Sequence, residues 1–187
     1  MNVVLNHLIL NRTMDLTHAS IVKTLLWRNE DSTQRFAHAM AVAMLQQPLL
    51  RNAFVELRGD LGAGKTTLVR HWLKALGVQG RVKSPTYAVM ETYSLDNLTI
   101  WHFDFYRFSD PREWEDAGFR DIFASPGLKL AEWPDNAAPH LPRADLLVQL
   151  EVLTDESRQV TLTAQSAVGV ALMEVQGDGP NATEAAV

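Results

Sequence analysis

The chain has 187 residues, of which 47% are hydrophobic, and a formal net charge of −5 at pH 7. That length suits one domain with a sizeable core, and the composition is ordinary for a soluble protein. The sequence has no cysteine, which excludes disulfides and thiolate metal sites and fits a reducing cytoplasm. The negative charge argues against a dedicated nucleic-acid surface, because phosphate neutralisation needs clustered Lys and Arg, although a local basic patch is compatible with it.

The first part of the chain has no clear periodicity. Residues 1–20 are expected to form a flexible extension, and the interrupted apolar run at 3–10 is too short for a signal peptide or a membrane span. Ile21–Trp27 is predicted to be a strand. Asp31 is then predicted to be the N-cap of a helix, and Gln34 three residues later makes the pattern close to a capping box. The apolar face of that helix would consist of Phe36, Met40, Ala43 and Met44.

A complete phosphate-binding loop follows a short apolar strand predicted at 54–57. A helix with an apolar face follows the loop, and Gly77 is placed to end it. In this setting the backbone N–H groups of the loop can point at a polyphosphate, and the helix dipole favours negative charge there. Lys65 would reach the β- and γ-phosphates, and the Thr66 hydroxyl would ligate Mg²⁺. The loop consists of Gly59, Asp60, Leu61, Gly62, Ala63, Gly64, Lys65, Thr66 and Thr67.

The rest of the chain predicts a mixed sheet. A helix is expected to start at Asp110, because a carboxylate cap is followed there by proline. A hairpin and a β-meander would flank the phosphate-binding strand and helix, which predicts an α/β fold with a P-loop NTPase-like mixed sheet between helices. We expect one domain over 21–176 and a disordered tail over 177–187. The further strands are predicted at 87–93, 98–105, 128–131, 145–152 and 158–164.

Three polar residues beyond the loop are candidates for the chemistry of a bound triphosphate. Asp104 ends an apolar strand, where a carboxylate can hold the magnesium shell; alternatively it is a surface or turn aspartate. Thr86, next to a proline, could present its hydroxyl to Mg²⁺ or the γ-phosphate, or belong to a structural turn. Glu132 also ends a strand and could orient the attacking water or complete the metal shell, unless it is an exposed loop residue.

In order and in spacing, these segments resemble the bacterial TsaE family, the P-loop ATPases of tRNA threonylcarbamoyladenosine biosynthesis. The resemblance spans roughly 27–164 and is carried by the motifs at 59–67, 82–87, 102–107 and 132–134. It implies a small α/β P-loop domain that binds ATP and Mg²⁺ and hydrolyses ATP slowly when alone. It also implies action in the cytoplasm with two protein subunits of the threonylcarbamoyl-transferase complex, with tRNA contacted only indirectly through that complex.

The resemblance also implies roles for individual residues. Thr66 and Glu132 would be the magnesium-side groups, with Asp104 assisting, and Glu132 would position the attacking water. Lys65 would hold the phosphates and Thr86 would be the switch-like threonine. A further pair, Asn29 and Thr33, would approach the nucleotide base. Arg107 is a candidate arginine finger or, as readily, a structural salt-bridge partner.

Two other classes use the same loop. A small-molecule kinase usually closes an arginine-bearing lid over its substrates, whereas the segments after this loop are hairpin-forming and aromatic. A purely regulatory nucleotide switch would use hydrolysis only to time an association. Partner affinity measured with ATP, with ADP and without nucleotide would separate a switch from the other classes, because a ligand shifts binding only by its differential affinity.

Overall fold

An eight-stranded mixed sheet is the framework of the protein. The computed structural model describes residues 20–110, 112–175 and 183–184. The strands are β1 Ile21–Trp27, β2 Phe54–Arg58, β3 Met90–Leu95, β4 Leu98–Asp104, β5 Leu128–Glu132, β6 Leu146–Val152, β7 Arg158–Ala164 and β8 Thr183–Glu184. The strand order is β3-β4-β5-β2-β6-β7-β1-β8; the pairs β4–β5, β5–β2 and β2–β6 are parallel, and the others are antiparallel. The predicted α/β fold with a mixed sheet is confirmed.

Helices cover both faces of this sheet. Successive side chains of a strand point to opposite faces. In β4, Ile100 therefore joins the core cluster under the first two helices, whereas Phe103 joins a second, aromatic cluster with Trp114 and Phe119. Short 3-10 helices occupy Pro48–Asn52 and Pro134–Ala137. The helices are α1 Glu30–Gln46, α2 Lys65–Ala75, α3 Glu113–Asp116, α4 Phe119–Ala124 and α5 Ala167–Glu174.

The start of α1 differs from the prediction. Asn29, not Asp31, is the N-cap: its backbone is extended and its side-chain oxygen accepts a hydrogen bond from the Ser32 N–H at 3.1 Å. Asp31 lies in the first turn instead, where its charge still suits the positive end of the helix dipole. The predicted apolar face is confirmed, since Phe36, Met40, Ala43 and Met44 are all buried.

The third strand begins later than predicted. Residues 87–89 lie in a turn, because the Val89 N–H donates to the Pro85 carbonyl at 2.6 Å and Val89 has a φ of 65°. The Val89 carbonyl in turn accepts from the Asp104 N–H at 2.9 Å. This turn holds the segment around Thr86 beside the end of β4, and the strand proper starts at Met90.

The predicted end of α2 is confirmed. Gly77 has a φ of 104°, its N–H donates to the Lys74 carbonyl, and the Val78 N–H reaches back to the Leu73 carbonyl, both at 3.0 Å. These two bonds form a Schellman motif, which satisfies carbonyls that the helix itself cannot pair. The helix predicted after Asp110 is α3, and the Glu113 carboxylate accepts from the Asp110 N–H at 3.0 Å.

The predicted chain ends fall mostly outside the described residues. Of the expected extension at 1–20 only Ser20 is described, and of the tail at 177–187 only Thr183–Glu184, which pair with β1. In the described part of the chain, no helix combines the length and the apolar character needed to span a membrane.

Candidate functional site

The glycine-rich loop passes closely against the neighbouring strand β6. Gly59 has a φ of 132°, and a Cβ placed there would lie 2.3 Å from the backbone oxygen of Leu150. Gly62 and Gly64 also have positive φ, of 83° and 112°, and Gly64 is the residue that precedes α2. A side chain at position 59 would collide with the sheet. Glycine therefore allows the chain to pass this close to the Leu150 backbone as it turns from β2 into α2.

Lys65 is folded back into the loop. Its Nζ donates to the carbonyl oxygens of Gly59 at 2.6 Å and Asp60 at 2.9 Å, and it lies 3.9 Å from the centre of the Trp133 ring. Burial lowers the pKa of Lys65, and the negative charges of Glu132, Asp104 and Asp60 oppose that shift. Lys65 is only 4% exposed, and the hydrogen-bond acceptors of its ammonium group are uncharged carbonyls.

Glu132 links the start of α2 to the sheet. Both of its carboxylate oxygens lie 2.9 Å from the Thr66 hydroxyl, and Oε1 also lies 2.9 Å from Nε2 of His102. Glu132 and His102 are both buried. The alternative that Glu132 is an exposed loop residue is therefore wrong.

Asp104 organises the segment that precedes β3. Its Oδ2 accepts hydrogen bonds from the hydroxyls of Ser84 and Thr86, the latter at 2.8 Å, and its Oδ1 accepts from the Tyr106 N–H at 2.9 Å. Asp104 is 3% exposed, so it is not a surface aspartate. The turn in this segment starts at Thr86 and is closed by the hydrogen bond from the Val89 N–H to the Pro85 carbonyl, and the hydroxyls of Ser84 and Thr86 both reach the carboxylate from there.

The strand register explains why these groups meet. Asp104 pairs with Glu132 across β4 and β5, and Glu132 pairs with Leu57 across β5 and β2, all in parallel. The carboxyl ends of adjacent parallel strands lie at one edge of the sheet, which is where α/β folds place their ligands. The loop after β2 begins at that same edge, so Lys65 and Thr66 face the two carboxylates.

The chemistry of these donors fits a magnesium site. Mg²⁺ prefers oxygen ligands and commonly takes one or two from protein, with phosphates and water completing its shell. Thr66 and Glu132, with Asp104 close by, offer hydroxyl and carboxylate oxygens. Among the described residues, no group of three or more His, Cys, Asp or Glu side chains could hold a metal by protein ligands alone.

The remaining residues with predicted roles at the site are Asn29, Thr33 and Arg107. Asn29 uses its side chain to cap α1, and Thr33 is buried in that helix, so their approach to a nucleotide base stays a prediction. α1 is fixed to α2 by a 2.8 Å contact between His71 and Glu30. Arg107 stacks over the Tyr87 ring at 4.1 Å and has no salt bridge in the described part of the chain.

Two features of the site had no role assigned from the sequence. His102 belongs to the motif at 102–107, and its spacing of two residues from Asp104 in a strand is the signal that places both on one face. The second feature is an open groove of about 810 Å³ beside the loop. It is lined by Asp60, Leu61 and Gly62 from the loop and by Gln149, Leu150, Glu151, Val152, Glu156 and Arg158 from the β6–β7 hairpin.

This fold and loop define an α/β protein of the P-loop class. The model of the family described as "Threonylcarbamoyl adenosine biosynthesis protein TsaE" matches residues 27–160. The chain therefore belongs to the TsaE family, whose members take part in tRNA threonylcarbamoyladenosine biosynthesis. The resemblance found from the sequence motifs is confirmed.

Relatives from two bacteria support this assignment over most of their length. The chain is 43% identical to the "tRNA threonylcarbamoyladenosine biosynthesis protein TsaE" of Haemophilus influenzae, over 75% of this chain and 89% of that protein. It is 34% identical to the protein of the same name from Bacillus subtilis, over 76% of this chain and 87% of the other. The crystal structure of Bacillus subtilis YdiB matches with a TM-score of 0.68 at 25% identity, covering 84% of this chain and 95% of that one.

Proposed function

We propose that this protein is a cytoplasmic, Mg²⁺-dependent ATPase that supports tRNA threonylcarbamoyladenosine modification together with two subunits of the threonylcarbamoyl-transferase complex. The observation that carries the proposal is the convergence of Lys65, Thr66, Asp104 and Glu132 at one edge of the sheet. The family assignment supplies the pathway, and the resemblance of the motifs supplies ATP as the nucleotide and the transferase subunits as partners.

The loop would bind the phosphates through its backbone and Lys65. The N–H groups at the start of α2 favour negative charge, as does the helix dipole. Lys65 now donates to carbonyls of its own loop, and a phosphate oxygen carrying full negative charge is a stronger acceptor for the same ammonium group. The open groove beside the loop offers room for the base and sugar of the nucleotide.

Glu132, Thr66 and Asp104 would serve the metal and the water. When bound, Mg²⁺ would neutralise charge on the β- and γ-phosphates. Thr66 and Glu132 would hold it, with Asp104 assisting, and the second oxygen of Glu132 would orient the attacking water. The Thr86 hydroxyl, held on Asp104, would turn toward the γ-phosphate as a switch-like group.

Slow turnover of the isolated chain fits the position of its arginines. Arg107 is engaged by the Tyr87 ring, and the hydrogen bonds and ion pairs of Lys65, Thr66, Asp104 and Glu132 described in this structure involve no arginine. Where an arginine finger has been dissected it contributes about 10³–10⁵ in rate. A partner subunit that supplies or reorients such a group would therefore raise turnover.

The test is ATP hydrolysis by the purified chain with Mg²⁺, alone and with the two transferase subunits. Lys65→Ala and Glu132→Ala are expected to abolish hydrolysis. The matched controls Lys74→Ala and Glu174→Ala, which remove the same charges from exposed helix positions, should leave it intact. Equal activity of Lys65→Ala and Lys74→Ala would reject this site. Hydrolysis that needs a small-molecule acceptor, with no response to the subunits, would identify a kinase instead.

The contacts of Thr86 also favour a switch-like component of this function. The segment from Ser84 to Thr86 is held at the site by hydroxyl bonds to Asp104. A γ-phosphate and metal would compete for the same groups, so the segment would respond to the nucleotide state. Affinity for the transferase subunits, measured with ATP, with ADP and without nucleotide, should then differ; equal affinities would exclude a switch.

A further inference from the structure

His102 is a buried polar residue that lies between the apolar Ile100 and the carboxylate of Asp104 on one strand face. In β4, one face carries the side chains of Leu98, Ile100, His102 and Asp104, since strand side chains repeat every two residues. Leu98 and Ile100 join the hydrophobic core there. His102 is 0% exposed, and its Nε2 lies 2.9 Å from Oε1 of Glu132.

The contact with Glu132 assigns a role to one ring nitrogen. An ionised carboxylate only accepts hydrogen bonds, so Nε2 is the donor when Glu132 is ionised, as its proposed role toward Mg²⁺ requires. The other nitrogen, Nδ1, is buried and has no hydrogen-bond partner among the described atoms. Burying a polar atom without a partner is unfavourable, and a leucine or isoleucine at 102 would avoid that cost. The histidine is thus poorly explained by stability alone and is better explained by what it does to Glu132.

Glu132 is held from two directions. The Thr66 hydroxyl reaches it from α2, and His102 reaches it from β4. Lys65 is an alternative partner for this carboxylate, because it is a buried cation that directly precedes Thr66 in α2, and the Glu132 charge opposes the lowering of its pKa by burial. If Glu132 rotated onto Lys65, the carboxylate would leave Thr66 and the ammonium group would be occupied.

We propose that His102 is a positioning residue that holds the Glu132 carboxylate on Thr66 and away from Lys65. Its Nε2–H restrains Oε1, so that the metal-side oxygens stay together and Lys65 stays available for phosphate. This inference rests on the proposed role of Glu132 and Thr66 in holding Mg²⁺. Outer partners that orient a metal-binding group typically change metal affinity by about 10–100-fold when they are removed.

The test compares amides of different reach at position 102. In His102→Gln the side-chain amide can donate from near the position of Nε2, whereas in His102→Asn the shorter amide falls short of Glu132. Binding of a fluorescent ATP analogue is measured with Mg²⁺ and with EDTA, beside thermal unfolding. Ile100→Val, on the same strand face, is the packing control.

We expect His102→Asn to weaken the Mg²⁺-dependent part of nucleotide binding by about 10–100-fold and to leave binding in EDTA unchanged. His102→Gln should retain most of the Mg²⁺ effect, and Ile100→Val should retain all of it. Equal Mg²⁺ dependence of His102→Gln and His102→Asn would overturn the inference. If the unsubstituted protein itself bound nucleotide without any Mg²⁺ effect, the proposed function would fail first, so the two failures are distinguishable.

Discussion

Gly59→Ala is the substitution that tests the geometry of the loop most directly. The added Cβ would lie 2.3 Å from the Leu150 backbone oxygen and 3.2 Å from the Ala63 Cβ, with φ at 132°. Leu150 pairs with Val160 in the sheet, so its carbonyl cannot retreat without disturbing strand pairing. Both the close contact and the backbone angle therefore oppose any side chain at 59.

The size of the effect follows from these two contributions. A non-glycine residue in a sparsely populated backbone region costs about 1–3 kcal/mol, and overpacking costs about 1–3 kcal/mol more, which gives about 2–6 kcal/mol in total. Typical domains have an unfolding free energy of about 5–15 kcal/mol, so Gly59→Ala would lose a large part of it. Gly62 offers a matched control, because its φ is also positive at 83° but no atom lies within 4 Å of its added Cβ. Gly62→Ala should therefore cost only about 1–2 kcal/mol.

Both variants would be compared by denaturant unfolding and by nucleotide binding. We expect Gly59→Ala to lose at least about 1 kcal/mol more unfolding free energy than Gly62→Ala, since only the former carries the overlap with β6. It should also lose nucleotide affinity, because relieving the overlap moves the amides of the loop. Equal stability of the two variants would refute the close approach of the loop to Leu150.

Two further predictions concern pH. The Arg112 guanidinium, bonded to the Asp110 carboxylate at 2.5 Å, lowers the pKa of Asp110 to about 2; Arg112→Gln should raise it toward 3.8 in an NMR titration, and an unchanged value would contradict the pairing. The contribution of this pair to folding stability is present above pH 3.8 and is lost as the pH falls toward about 2. Burial raises the pKa of Glu56 above 4.5, against the effect of Arg58, so its contribution to stability is lost as the pH rises through the folded-state pKa. The stability of the unsubstituted protein relative to Glu56→Gln should therefore fall in urea unfolding as the pH rises above 4.5, and a rise would refute the burial argument.

Local patterns in the sequence were sufficient for the loop and most elements. The glycines of the loop, the strand before it and the apolar face of α2 are all encoded within a few residues of one another, so their prediction needed no tertiary information. Asp104 and Glu132 could be selected because each ends an apolar strand. The motifs at 59–67, 82–87, 102–107 and 132–134 together identified the family.

Errors arose where neighbouring residues offered similar local signals. Asn29 and Asp31 are both favourable N-cap residues, and the apolar periodicity alone does not decide between helix starts that lie two residues apart. The sequence predicts the start of β3 too early because the alternation begins at residue 87, whereas a tertiary hydrogen bond from the Asp104 N–H to the Val89 carbonyl holds Val89 in a turn. α5 was missed: Ser166 caps it, but it is apolar on most sides and gives little helical periodicity.

The arrangement of the site was decided by the tertiary structure. The sequence determined which residues were chemically suited to phosphate, metal and water, because that depends on side-chain type and local backbone. It did not determine that β4, β5 and β2 are neighbours, or that His102 reaches Glu132 and Gly59 approaches Leu150. Those contacts join segments far apart in the chain, and strand order and register are set by the packing of the whole sheet rather than by any short pattern within it.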